Sequence, residues 1–297
     1  MVASPSSRKK FSKVYIEISN ICNLQCSFCP AVERSKGQMS SGAFRHIIAQ
    51  VAPLTEQVCF HLMGDPLVHP HLADLVTMCA AHQAKIVLVT NGVLLRERHQ
   101  EILLNNTVRQ VNFSLHSFPD NFGDQDPSVY LRRIFDFCEQ AFVERPDLYL
   151  NFRLWNLLNP KGQEAKNTRL LKAIEEHFAV RIPAEIDVRR QKSIHLVKRL
   201  YLHFDREFVW PNLELPVLGT TGSCYGLRSH CGILMDGTVV PCCLDKEGRI
   251  PLGNIHERPL VDILADERAQ KILSGFRQRK LHEDLCQRCQ YIERFGK

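Results

Sequence analysis

Along the first two thirds of the chain, short runs rich in Val, Ile, Leu and Phe alternate with longer segments whose apolar residues recur every three or four positions. The short runs predict strands at 14–19, 57–63, 85–90, 109–116 and 149–155, with a sixth near 185–189. The longer segments predict helices at 42–51, 71–81, 96–104, 128–142 and 163–178. Ser40 and Ser41 can cap the first helix, and Asp126-Pro127-Ser128 reads as the start of the fourth. Strands and helices in this order predict βα units around a parallel sheet, an α/β fold. The pattern changes after a Pro/Gly-containing connection at 216–222, which divides the chain into domains of 1–215 and 216–297. Within 216–297 a pair of apolar runs flanks Asp236-Gly237, the signal of a tight hairpin, and a helical stretch covers 259–276.

A chain of 297 residues suits one or two domains with a full core, and no apolar run is long enough to span a bilayer. The first thirteen residues carry Arg8, Lys9, Lys10 and Lys13 without an apolar signal core, so a cytoplasmic protein is expected. The net charge of +6 falls wholly in 151–297, which holds 24 Lys and Arg against 18 Asp and Glu. Seven of those cations lie in 181–206 among three acids, with His195, Tyr201, His203 and Phe204 interleaved. Such a strip fits either a phosphate-binding or RNA-binding surface or the solvated face of a helix or edge strand.

Twelve cysteines in a cytosolic chain argue for metal rather than disulfides, because that compartment keeps thiols reduced. Cys59, Cys79 and Cys138 fall in apolar patterns and read as core residues. Cys22, Cys26 and Cys29 form a CxxxCxxC run directly after the first strand. Three thiolates in one loop can hold three irons of a four-iron cluster and leave the fourth iron open. Zinc is the rival metal, although its usual loop is CxxC with a distant second pair. The remaining cysteines, Cys224, Cys231, Cys242, Cys243, Cys286 and Cys289, gather at the other end. Two hairpin thiolates and the late CxxC pair would make a four-thiolate site, for iron-sulfur or for zinc.

With Phe28 before its last cysteine, the first run resembles the CxxxCxΦC signature of the radical S-adenosylmethionine (radical SAM) enzymes, Φ being aromatic. The resemblance implies a partial (β/α)6 TIM-type barrel with its active site at the C-terminal ends of the strands. It also implies that SAM chelates the open iron of a [4Fe-4S] cluster and is cleaved to a 5′-deoxyadenosyl radical. Met63-Gly64-Asp65-Pro66 is similar to the GGE-type motif, which makes Gly64 and Asp65 cofactor-binding candidates, Asp65 with a shorter reach than Glu. Thr90-Asn91-Gly92 resembles the TNG loop at the cofactor pocket, and Ser114 resembles a Ser that contacts SAM. His116, on the same strand face as Asn112 and Ser114, is the catalytic candidate, as a substrate contact or else a structural histidine. Arg153, predicted to face the barrel interior, needs an anionic partner, either the SAM carboxylate or a protein carboxylate. Asn156 is a weaker candidate at the same rim.

The C-terminal region is similar to the SPASM and twitch extensions of radical SAM proteins, where DGxVxPCC, GNI and a late CxxC frame an auxiliary [4Fe-4S] cluster. The resemblance implies Cys224, Cys242, Cys286 and Cys289 as ligands in a small hairpin-plus-helix domain. Cys231 and Cys243 are spares, and strand register decides whether Cys242 or Cys243 faces the metal. The implied activity is hydrogen-atom abstraction followed by dehydrogenation or oxidative rearrangement, with the auxiliary cluster carrying an electron. Small sugars and aminoglycosides, peptides and nucleotide-derived substrates or tRNA are the substrate classes, and a flavodoxin or ferredoxin the electron donor. A zinc-binding interaction protein is the non-enzymatic alternative.

Overall fold

The computed structural model describes residues 11–157 and 165–295. The basic stretch through Lys10 and the first two residues of the helix expected at 163–178 lie outside the described residues. Among the described residues ten strands form one sheet in the order β10-β9-β8-β1-β2-β3-β4-β5-β7-β6. They are β1 (Lys13–Ile16), β2 (Gln57–Cys59), β3 (Lys85–Thr90), β4 (Val108–Ser114), β5 (Tyr149–Leu157), β6 (Ser193–Val197), β7 (Leu200–Arg206), β8 (His230–Ile233), β9 (Thr238–Val240) and β10 (Gly253–Asn254). From β8 through β1 to β5 and β7 every pairing is parallel, and β6, β9 and β10 pair antiparallel at the two ends.

The helices are α1 (Ser41–Val51), α2 (Leu72–Ala81), α3 (Glu97–Leu103), α4 (Ser117–Phe122), α5 (Ser128–Glu144), α6 (Thr168–Phe178), α7 (Leu260–Ala265), α8 (Glu267–Arg277) and α9 (Asp284–Gln287). Ser40 caps α1 by accepting from the Ala43 N–H. Successive strand residues face opposite sides, and the register keeps like with like. Val14, Val58 and Ile86 lie side by side in the large core with Phe44, Ile47 and Leu75 of the helices. Their neighbours Tyr15, Cys59 and Val87 belong to a second, inner cluster that Leu234 and Val240 of the C-terminal hairpin complete.

The predicted strand at 185–189 is absent; those residues are irregular, and the sixth barrel strand is β7. β7 hides Leu200, Leu202 and Phe204 between more exposed Tyr201, His203 and Asp205, an alternation that the charges of 181–206 obscured. The strip is thus mainly a hairpin edge, in which Arg189 pairs with Asp187 and Lys192 with Asp205. The strand expected to reach residue 116 stops at Ser114, and α4 follows it unpredicted.

The N- and C-terminal regions share one sheet, because β8 pairs with β1 along its whole length. A buried ion pair reinforces that seam. Glu17, wholly buried just after β1, accepts from the Arg34 guanidinium at 2.8 and 3.0 Å and from the Met235 N–H at 3.0 Å. Arg34 also donates to the Lys246 carbonyl at 2.7 Å. Arg34→Met leaves the Glu17 carboxylate buried without its cation and should destabilise the fold by about 3–5 kcal/mol. Urea denaturation should show most of that loss recovered in the Glu17→Met/Arg34→Met pair; an unchanged midpoint in the single variant would remove the ion pair from the account.

Candidate active site

All the motif loops lie at the C-terminal ends of the parallel strands, the rim where barrels of this kind assemble their sites. Gly64 has φ +74°, and a Cβ there would stand 2.5 Å from the Ser19 carbonyl and 2.7 Å from that of Ile21. Only glycine lets the loop after β2 lie against the backbone that feeds the cysteine loop. The next residue, Asp65, is buried and knits three segments together. Its carboxylate accepts from the Leu67 N–H at 2.9 Å, the Thr90 hydroxyl at 2.9 and 3.0 Å and the Asn91 N–H at 2.8 Å. Burial pushes its pKa up, and those donors oppose the push.

The neck of the cysteine loop is closed by Asn20, which donates to the Ser35 carbonyl at 3.0 Å and accepts from the Gly37 N–H at 2.8 Å. Cys22 and Cys29 are exposed, and Cys26 is half-buried. Partial burial raises all three thiols, Cys29 to about 11 with its two neighbours adding to the effect. Three mutually repelling sulfurs stay thiolate only around a cationic centre, and an all-sulfur donor set suits iron-sulfur or zinc. Side-chain amides point at two of the sulfurs. Asn121 of α4 donates to Cys26 Sγ at 3.1 Å, and Asn91 to Cys22 Sγ at 3.8 Å and to Asn23 at 3.0 Å. Asn121 also accepts from the Gln25 N–H at 2.9 Å, while Asp120 accepts from the Ser27 N–H and hydroxyl, both at 2.6 Å.

The predicted residues fall into two groups. Ser114, Arg153 and His203 sit side by side across β4, β5 and β7. Arg153 stacks over Trp155 at 4.3 Å and makes no ion pair or guanidinium hydrogen bond among the described residues; burial lowers its pKa to about 10. His116 is anchored, its Nδ1 2.9 Å from the Arg153 carbonyl and its ring 4.7 Å from Phe28 of the cysteine loop. Burial lowers its pKa to about 4, so the ring is neutral at physiological pH. That position orients Phe28 and leaves little freedom to reach a substrate. Asn156 is buried against Asn167, with paired amide hydrogen bonds of 3.0 and 2.9 Å, and stays out of the site.

At the C-terminal end burial raises the pKa values of Cys242, Cys286 and Cys289, and the nearby Cys224 raises each of them further, as Cys243 does for Cys242 and Cys289. Cys243 packs against the inner cluster, where the Tyr15 hydroxyl donates to it. Cys231 lies in the core on β8, opposite Val14.

Residues 16–144 match the sequence model of the radical SAM superfamily, and residues 224–290 match SPASM, an iron-sulfur cluster-binding domain. The chain belongs to the radical SAM superfamily. Among curated relatives it is 31% identical over 110 residues to the tungsten-containing aldehyde ferredoxin oxidoreductase cofactor-modifying protein of Pyrococcus furiosus, covering 36% of this chain and 31% of that one. It is 27% identical over 116 residues to the S-adenosyl-L-methionine-dependent 2-deoxy-scyllo-inosamine dehydrogenase of Niallia circulans, covering 37% and 46%. Both matches therefore span under half of the relative. The fold is similar to that of BtrN crystallised with AdoMet and 2-DOIA, with a TM-score of 0.61 at 17% identity over 95% of this chain and 94% of that one. The radical SAM and SPASM domains bring SAM and two [4Fe-4S] clusters as cofactors, and the sulfur-only donor sets fit them. No helix of the described residues is long and apolar enough to cross a membrane.

Three features of this radical SAM site were not foreseen. Asp120 and Asn121 stand more than ninety residues from the sulfur loop they brace, and no local pattern marks such a partner. His61 follows Cys59 on the inner face just past β2, a place that period-two alternation would have shown. Its Nδ1 is buried without a hydrogen bond among the described residues, and burial together with the Arg153 and Lys13 charges lowers its pKa to about 3.

N–H···S bonds stabilise a cluster's reduced state, so Asn121→Leu should lower the midpoint potential of the N-terminal cluster. One lost hydrogen bond corresponds to about 40 mV. Redox-titrated EPR of a variant with only that cluster measures it; an unchanged potential at full iron content would show that the amide does not act on the sulfur.

Proposed function

We propose that this radical SAM protein is a cytoplasmic dehydrogenase of a small polar substrate, taking a hydrogen atom from it with the 5′-deoxyadenosyl radical released from SAM. The carrying observation is Arg153, a half-buried guanidinium without an anionic partner among the described residues, placed beside Ser114 on the rim that holds the three-thiol loop. A buried unpaired cation is expensive unless a ligand completes it, and a carboxylate matches the fork of a guanidinium. The SAM carboxylate is the partner we assign to it.

When bound, the N-terminal cluster supplies the electron that splits SAM, and the second cluster accepts the electron left on the substrate. The chain holds the first at Cys22, Cys26 and Cys29 and the second at Cys224, Cys242, Cys286 and Cys289. Gly64 and Asn91 keep the loops beside the cysteine loop close, Ser114 lies next to Arg153, and Asp65 fixes the loops against each other. Phe28, packed on His116, shields one side of the cysteine loop, and Tyr15, His61 and His203 line the interior beneath. Dehydrogenation is favoured over peptide or tRNA modification by likeness to the 2-deoxy-scyllo-inosamine dehydrogenase, and by a polar interior of side-chain donors suited to a hydroxylated molecule. A small flavodoxin or ferredoxin is the electron donor we assign.

Protein purified without oxygen should be brown and contain about eight irons per chain. With dithionite and SAM it should form 5′-deoxyadenosine, and Cys26→Ala should not. A colourless, zinc-containing protein would instead favour an interaction module. Arg153→Met should weaken SAM binding by about ten- to a hundredfold, the worth of one charge-assisted hydrogen-bonded contact, with both clusters retained. SAM affinity equal to wild type in that variant would move Arg153 from SAM to another ligand.

A further inference from the structure

The opposite rim of the barrel, where the strands begin, carries a second concentration of chemistry. Parallel strands start at one level, so the side chains at their beginnings converge. Here they are Lys85 at the start of β3, Arg109 near the start of β4, Tyr149 at the start of β5 and Arg199 just before β7. With Asn106 and Asp147 they line a cavity of about 140 Å³.

The cavity's charges are not balanced. Its single carboxylate, Asp147, is held on both oxygens by Arg145, at 3.0 and 3.1 Å. Lys85 donates to the Asn106 carbonyl at 3.1 Å and keeps further donors on the same ammonium. Arg109 and Arg199 form no ion pair among the described residues; their guanidiniums lie 5.7 and 4.6 Å from the Tyr149 ring, which Tyr201 stacks against at 6.4 Å. The ring holds the two planar cations in place before any ligand arrives, which lowers the ordering penalty of binding. In the basic strip Arg189 pairs with Asp187 and Lys192 with Asp205, whereas Arg199 lines this recess beside Asp147.

We propose that this recess binds a phosphate group, carried either by a free phosphorylated small molecule or by a nucleic-acid backbone. Two guanidinium forks and one ammonium converge on a space sized for an oxyanion, and a dianionic or diester phosphate supplies the acceptors that one protein carboxylate does not. The site lies at the end of the barrel away from the cysteine loop, so it binds without taking part in the radical chemistry.

Calorimetric titration of the cluster-loaded protein with pyrophosphate, and retention of tRNA at increasing salt, test this. Wild type should bind at least one of the two probes, and Arg109→Ala/Arg199→Ala should weaken that binding at least tenfold with iron content and 5′-deoxyadenosine formation unchanged. Lys85→Gln, a milder exposed change, should weaken it less. Pyrophosphate binding without tRNA retention identifies a free ligand. Salt-dependent tRNA retention whose slope falls by about 1.5–2 in the double variant identifies a backbone. If neither probe binds, or the double variant binds as wild type does, the proposal is overturned.

Discussion

A carboxylate without water holds the molecule together. Glu17 is completely buried where β1 leaves the sheet, and an ionised group there persists only with a cation and donors around it. Arg34, from the far leg of the cysteine loop, supplies the cation, and the Met235 N–H of the C-terminal hairpin supplies a further donor. The same leg is fastened again by Lys246 to the Ala31 carbonyl, by Glu247 to the Glu33 and Arg34 amides, and by Arg249 to Glu33. Satisfying one buried charge therefore fixes three things at once: the end of the first strand, the return of the cysteine loop, and the seat of the second domain.

The rim above that junction is held by polar groups rather than by packing alone. Asp65 bonds to the β3 loop through Thr90 and Asn91, and Asn91 passes the connection to Asn23 and Cys22. Tyr130 of α5 completes the chain by donating to the Asn91 carbonyl at 2.7 Å. A Glu at position 65 would have to fold back to make the same short bonds to Leu67 and Asn91. The shorter Asp fits the structural task, and the departure from the family's usual acid has a local geometric reason.

What could be read from the residues was whatever short-range spacing encodes. The three cysteines of the first loop, β3 with its unbroken apolar run, the cap of α1 and the hairpin at Asp236-Gly237 are such features. What could not be read depends on partners far along the chain. Pairing of β8 with β1 joins residues more than two hundred apart, and nothing local announces it. The β6–β7 hairpin reads as a charged strip because its exposed face dominates composition while three buried side chains do the folding. α4 is too short, and its Pro119 too close to its start, to give a periodic signal. The choice between Cys242 and Cys243 was a question of register, and the hydroxyl that donates to Cys243 belongs to Tyr15, a residue on the other side of the seam that no local pattern points to.

Arg145, which is buried, and Arg34 and Arg153, which are half-buried, differ in the number of partners each has found among the described residues. Arg145 is bonded to Asp147 and to the carbonyls of Leu104 and Val108. Arg34 is bonded to Glu17 and the Lys246 carbonyl. Both are complete, and each ties together segments that must stay packed. Among the described residues Arg153 has the face of Trp155 and no ion pair, and burial depresses its pKa. Folding places it there against its own electrostatic preference, between a serine and a histidine on neighbouring strands and below a loop of three sulfurs. Stability alone does not account for such an arrangement, since an apolar residue of similar size would be favoured at that position. The proposed pairing with the SAM carboxylate would account for it, and the cost of holding the guanidinium there would then become a component of the affinity for that anion.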